Sequence, residues 1–170
     1  MRAEDLKITE MNGGYLIKVS GRANFDYAVP LRELADKITS GSWIQFDMEY
    51  CETMDSTFMG VLTMLALKSR KCGFQIMLIN ASAQLNKLLR DLGVAKLFKF
   101  ISGEENTSVQ SESASEVPVA GSSSLLATAQ TVVDAHKTLI VADSSNAEKF
   151  DKVVEFAEQD VQRLKDSENV

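Results

Sequence analysis

The sequence predicts an α/β domain followed by a helical hairpin, and three observations carry that prediction. Apolar stretches of strand length alternate with stretches of helical period between residues 6 and 100. One of the strand-like stretches, FQIMLIN at 74–80, is almost continuously apolar, as expected of a strand buried on both faces of a largely parallel sheet. A Ser- and Glu-rich stretch at 102–123 then separates the alternation from two further helical patterns.

The elements follow in order. LKITEM (6–11) alternates weakly as a strand, and Gly13-Gly14 marks a turn. YLIKVSG (15–21) is a strand with apolar Leu16, Ile17 and Val19. FDYAVPLRELADKITSG (25–41) is helical, because Phe25, Ala28, Val29, Leu31, Leu34, Ala35 and Ile38 recur at helical spacing. Pro30 lies inside that pattern, so the helix is expected to begin near it or to kink there. WIQFDM (43–48) is a strand, and STFMGVLTMLALKSRKCG (56–73) is a helix closing on Gly. After the FQIMLIN strand, SAQLNKLLRDLG (82–93) is a helix with Leu85, Leu88, Leu89 and Leu92 on one face, and LFKF (97–100) is a last short strand. The order is ββαβαβαβ.

The stretch SGEENTSVQSESASEVPVAGSS (102–123) has too few large apolar groups to offset its ordering entropy and reads as a flexible tether. Beyond it, 124–142 and 146–165 are amphipathic helices. The first carries Leu125, Leu126, Ala129, Val132, Val133, His136, Leu139 and Ile140 on one face; the second carries Phe150, Val153, Val154, Ala157, Val161 and Leu164. Ser145 with Glu148 matches a capping box, and the short connection favours an antiparallel hairpin. Two helices bury little by themselves. The hairpin is therefore expected to dock on the first domain, on a second copy to give a homodimer, or on a partner.

Composition excludes several classes. The chain of 170 residues is 45% hydrophobic and 25% charged, ordinary for a soluble globular protein. No apolar run approaches the roughly 20 residues of a membrane span, and the charged N-terminus MRAEDLKITE lacks a signal core, so membrane insertion and secretion are not expected and a cytoplasmic location is. Cys51 and Cys72 have neither CxxC spacing nor His neighbours, so they read as reduced structural thiols with no metal. Residues 1–103 carry a net charge of +2 and residues 104–170 one of −8, so the acidic tail argues against nucleic acid as a partner.

The stretch ETMDSTFMGVL (52–62) places Asp55, Ser56 and Thr57 where a strand hands over to a helix. A side-chain oxygen there ordinarily caps the helix by accepting an orphan N–H. The same position favours a phosphate, through free N–H groups and the helix dipole. With Phe58 and Met59 exposed beside it as an apolar docking patch, a phosphate on Ser56 would break an interface by desolvation and by repulsion, with Asp55 adding like charge.

DMEYCETMDSTFMGVL resembles the signature of the STAS domain as found in anti-sigma factor antagonists. That family has a hydrophobic strand, a Met-Asp-Ser-Ser-Gly-Leu-Gly type turn, then a helix. VSGR at 19–22 and LNKLLRDLGVAKLFKF support the resemblance, which covers about residues 5–101. It implies a mixed β-sheet with packed helices. It also implies a non-enzymatic protein regulating transcription without a cofactor. In the family, the serine after the turn's Asp is phosphorylated by an anti-sigma factor that is also a serine kinase, of the nucleotide-binding, histidine-kinase-like type. The dephosphorylated protein binds that kinase and frees the sigma factor. Ser56 matches that serine. Thr57 stands where the family commonly has a second Ser, Phe58 and Met59 where it has Gly and Leu, and Asn24 where an acidic residue is common. Asn24, Asp55, Thr57, Phe58 and Met59 are the expected partner face around the Ser56 switch.

Other classes fare less well. Ser56 lacks the G-x-S-x-G elbow, and His136 sits on an apolar helical face across the tether, where it reads as structural. There is neither a P-loop nor a G-x-G-x-x-G, so any nucleotide belongs to the partner. The alternative reading is a STAS scaffold or transporter-associated subunit that is never phosphorylated. Met54, Met59 and Met64 would suit an adaptable binding surface, although Met64 at helical spacing reads as core.

Overall fold

A computed structural model describes residues 5–38, 41–103, 115–117, 119 and 124–169. Strands β1 (Asp5–Met11), β2 (Gly14–Ala23), β3 (Trp43–Met54), β4 (Gln75–Ile79), β5 (Lys99–Ile101) and β6 (Ser115–Val117) form one mixed sheet in the order β5-β4-β3-β2-β1-β6. β1 runs antiparallel to β2 and to β6, while β2, β3, β4 and β5 are mutually parallel. The helices are α1 (Phe25–Ala35), α2 (Ser56–Cys72), α3 (Ala83–Asp91), α4 (Leu125–Ala142) and α5 (Asn146–Glu168), with a 3-10 turn at Ala95–Leu97.

The core follows from the two-residue period of the strands. Ile17 and Val19 on β2, Ile44, Phe46 and Met48 on β3, and Ile76 and Leu78 on β4 are buried. They pack with Leu31 and Leu34 of α1, Leu62 and Leu65 of α2, and Leu85 and Leu89 of α3 in a single cluster. On the opposite face Lys7, Lys18, Ser20, Asp47, Glu49 and Tyr50 line an open hollow.

Four local expectations need correction. The β1–β2 turn is made by Asn12 (φ 45°) and Gly13 (φ 81°), the left-handed pair a tight hairpin requires, and Gly14 lies in β2 against the Trp43 ring. α1 starts at Phe25, well ahead of Pro30, because Asn24 caps it by accepting the Asp26 N–H at 2.9 Å. Within the stretch expected to be a tether, Ser115–Val117 pair with Ile8–Glu10 as an edge strand, and residues 104–114 of that stretch lie outside the described residues. The Ser145–Glu148 capping box does not form: Ser145 is helical and donates its hydroxyl to Asp143 Oδ1 at 2.6 Å, so Asp143 organises the α4–α5 turn.

The hairpin docks on the first domain. Ala135 and Leu139 of α4 enter the main core, whereas Val133, Ala157 and Val161 form a second small cluster between α4 and α5. Arg32 of α1 pairs with Asp134, and its Nη1 donates to Thr131 Oγ1 at 3.3 Å. Asn146 Nδ2 donates to the carbonyls of Leu92 and Leu139, each at 2.9 Å, and Lys149 Nζ donates to the Asp91 carbonyl at 2.9 Å.

Candidate functional site

The site grows from the carboxyl ends of β2 and β3. Ala23 and Met54 pair in parallel register, and the Asp55 N–H donates to the Ala23 carbonyl at 2.9 Å, so the two chains leave the sheet side by side. Each then starts a helix behind an Asx cap: Asn24 for α1, and Asp55 for α2, whose Oδ1 accepts the Phe58 N–H at 2.7 Å. Both helix N-termini and their dipoles therefore converge on one edge of the molecule.

Asp55 bridges the two helix starts. Burial pushes its carboxyl above the ordinary aspartate value, and the Phe58 and Phe25 amides, His136 and the Thr57 amide pull against that rise. Desolvation leads because the group is largely shielded; the amides stabilise the charged form they cap.

Ser56 is the first residue of α2, half-buried, with its Oγ 2.8 Å from His136 Nε2. The other ring nitrogen, Nδ1, lies 2.6 Å from the Val132 carbonyl oxygen, which only accepts, so Nδ1 carries the proton. In the neutral ring Nε2 is then the acceptor and the Ser56 hydroxyl donates to it. The ring is held edge-on to Phe150 of α5, centroids 5.0 Å apart. His136 is 2% exposed, which seals the joint from a substrate; the contact ties α4 to the start of α2.

The expected partner face is only partly at the surface. Asn24, Asp55 and Ser56 are half-buried and stand together. The exposed apolar patch is corrected: Phe58 is 0% exposed, and Thr57 and Met59 are buried as well. Phe58 opens a stripe with Leu62 and Leu65, spaced four and three residues apart, and that stripe faces the core. The spacing was visible in the sequence; the proximity to the polar turn obscured it. Met54 is likewise buried, and Met64 is half-buried.

Sequence reasoning missed two residues. Phe25, at the first position of α1, is 45% exposed and is the aromatic that borders the turn. His136 is buried on the apolar face that its spacing predicts, but nothing in its local pattern indicates contact with Ser56, 80 positions away.

Among the described residues, no group of His, Cys, Asp and Glu is arranged to hold a metal ion, and no helix is long and apolar enough to cross a membrane. Comparison with curated proteins gives no match. Among solved structures, the anti-sigma factor antagonist SpoIIAA in its unphosphorylated form is 17% identical, covering 59% of this chain and 91% of its own, with a TM-score of 0.48. The Bacillus cell-fate determinant SpoIIAA in its phosphorylated form is 19% identical, covering 59% of this chain and 95% of its own, with a TM-score of 0.45. The family model for the STAS domain matches residues 6–107, which contain the whole sheet but β6, the three helices packed on it and the Asp55–Ser56 turn, and the chain belongs to that family.

Proposed function

We propose that this chain is a protein-binding module of the anti-sigma factor antagonist type, switched by phosphorylation of Ser56. Residues 1–101 form the binding domain, 102–123 the connection and 124–166 an added hairpin. The partner is an anti-sigma factor that is also a serine kinase, bound when Ser56 carries no phosphate. The observation that carries the reading is Ser56 itself: a hydroxyl at the first position of α2, directly after the capping Asp55, in a turn matched by the family.

The chemistry is a phosphoryl transfer in which this chain supplies only the nucleophile. The Ser56 oxygen attacks the γ-phosphorus of a nucleoside triphosphate held with Mg²⁺ by the partner, the diphosphate leaves, and a base on the partner takes the hydroxyl proton. The product phosphate sits at the N-terminus of α2, whose free N–H groups and dipole favour an anion. It is repelled by acidic groups across an interface. Asn24, Phe25, Asp55 and Ser56 form the contact face, with Thr57, Phe58 and Met59 supporting it from below.

Intact-mass and peptide mapping of the protein from its native host, with and without phosphatase, tests the reading. A single phosphate on Ser56 is expected. A chain unmodified under every growth condition would sink the switch and favour a second reading, a STAS scaffold or transporter-associated subunit indifferent to phosphate. The bond from Ser56 to His136 supports that second reading, because it gives the hydroxyl a structural partner.

A further inference from the structure

We infer that the α4–α5 hairpin is an intramolecular lid on the Ser56 turn, so that the docked hairpin and a phosphate on Ser56 exclude one another. The inference deepens the proposed switch and rests on Ser56 being its site.

Three observations carry it. First, the hairpin occupies the switch directly. Ser56 Oγ and His136 Nε2 are in hydrogen-bond contact at 2.8 Å, with no width between them for a phosphorus atom and its three further oxygens. A phosphoserine also exchanges the donated hydroxyl proton for roughly −1.5 to −2 charges, next to the shielded Asp55 carboxyl.

Second, the fit of α4 on α2 depends on a close approach. A Cβ built on Gly60 would lie 2.5 Å from the Ala135 carbonyl oxygen and 2.6 Å from the Ala135 Cβ. Backbone meets backbone there, one turn along from Ser56, so a shift of α4 by the width of a methyl group breaks the joint. A seam of this kind is open or closed rather than continuously adjustable.

Third, the hairpin is built to leave as a unit. Its two helices hold each other through Val133, Ala157 and Val161, a cluster distinct from the main core. Its seam with the domain sets buried polar groups beside the apolar Ala135 and Leu139: Thr131, His136 and Asn146 are all buried, and Asn146 Oδ1 is a buried oxygen without a partner among the described residues. The polar groups regain hydrogen bonds to water on opening, which offsets part of the cost of exposing Ala135 and Leu139.

Coupling of this sort is reciprocal. A phosphate on Ser56 weakens docking of the hairpin, and the docked hairpin slows phosphorylation. It also lowers the apparent affinity of any partner for the turn by the fraction of chains that are open.

The test uses the full chain with phosphoserine genetically encoded at position 56, compared with the unmodified chain by amide hydrogen exchange. The expected result is faster exchange across α4, by about tenfold or more, within the usual span of coupling between two sites. Strand amides at 44–48 and 76–79 should keep their protection. The variant Gly60→Ala should release α4 in the same way without added charge. Unchanged or slower exchange in α4 of the phosphoserine chain overturns the lid, and so does an equal acceleration in the strands, because docking would then be inseparable from the fold. Because the phosphate is installed rather than acquired, the result stands apart from the native mass map. A lid that opens in a chain never phosphorylated in its host would leave the lid intact and remove the proposed switch.

Discussion

The sheet with α1–α3 and the seam beneath the hairpin are both buried and share apolar contacts, yet only the seam adds buried polar groups that reach from one side to the other. Every described strand buries only apolar side chains. Among the described residues, the buried polar ones are Thr57, Thr63 and Ser69 on α2, and Thr131, His136 and Asn146 on the hairpin. Thr63 and Ser69 satisfy themselves on carbonyls of their own helix, at 2.8 and 2.6 Å, whereas His136 and Asn146 reach across to the domain. Apolar burial is non-directional and tolerates small shifts. Hydrogen bonds fix a geometry and contribute little net stability once water is an alternative. The difference teaches that one chain can combine a core that sets the fold with a joint that can be given up.

The comparison breaks most visibly at Phe58. Phe58 is fully buried in the main core, so Phe58→Ala costs about 3–5 kcal/mol of global stability, read as a lower denaturation midpoint. A stable variant would return Phe58 to the surface role expected from the polar turn beside it. Asn146→Ala should act on the seam alone. The Leu92 carbonyl loses its donor while the Leu139 carbonyl keeps the Asp143 N–H, so about 1–3 kcal/mol of hairpin docking is lost, seen as faster exchange in α4 and α5 while the strands are unaffected.

Smaller effects sharpen the contrast. Burial pushes the Cys51 thiol up to about 11, while Cys72 is only half-buried. Iodoacetamide at pH 8 should therefore modify Cys72 first and Cys51 only as the core opens, as followed by mass spectrometry. Equal rates would mean that β3 is less well packed than its apolar neighbours indicate. Asp55 gives the smallest signal. Its folded pKa lies above the ordinary 3.8, so the folded chain holds this proton more tightly than the unfolded one. Stability contributed by the group is full below the unfolded value and is lost as pH rises through the folded value. Carboxyl NMR should show Asp55 titrating above the exposed aspartates, and Asp55→Asn should remove its share of the pH dependence.

Most of the fold was legible because hydrophobic period reports directly on which face is buried. FQIMLIN and the Leu85, Leu88, Leu89 and Leu92 stripe each predicted their element to within a residue or two. β6 was not legible, because a three-residue edge strand borrows its register from β1 and needs no pattern of its own. At the site, the capping role of Asp55 and the position of Ser56 could be read from helix-start chemistry. The inward turn of Phe58 was legible in its spacing but was outweighed by its neighbours. The Ser56–His136 contact was not, since a link across 80 positions leaves no local mark.

The edge strand has a further consequence. By fixing Val117 against Ile8, β6 shortens the leash on the hairpin to the seven residues that lead to Ser124, at most about 25 Å of fully extended chain. A hairpin that leaves the domain therefore stays within reach of it, at an effective concentration on the order of millimolar, the range for short linkers. A partner competing for the same surface does so against a rival that never diffuses away, and its own cellular concentration sets how much of the chain it captures.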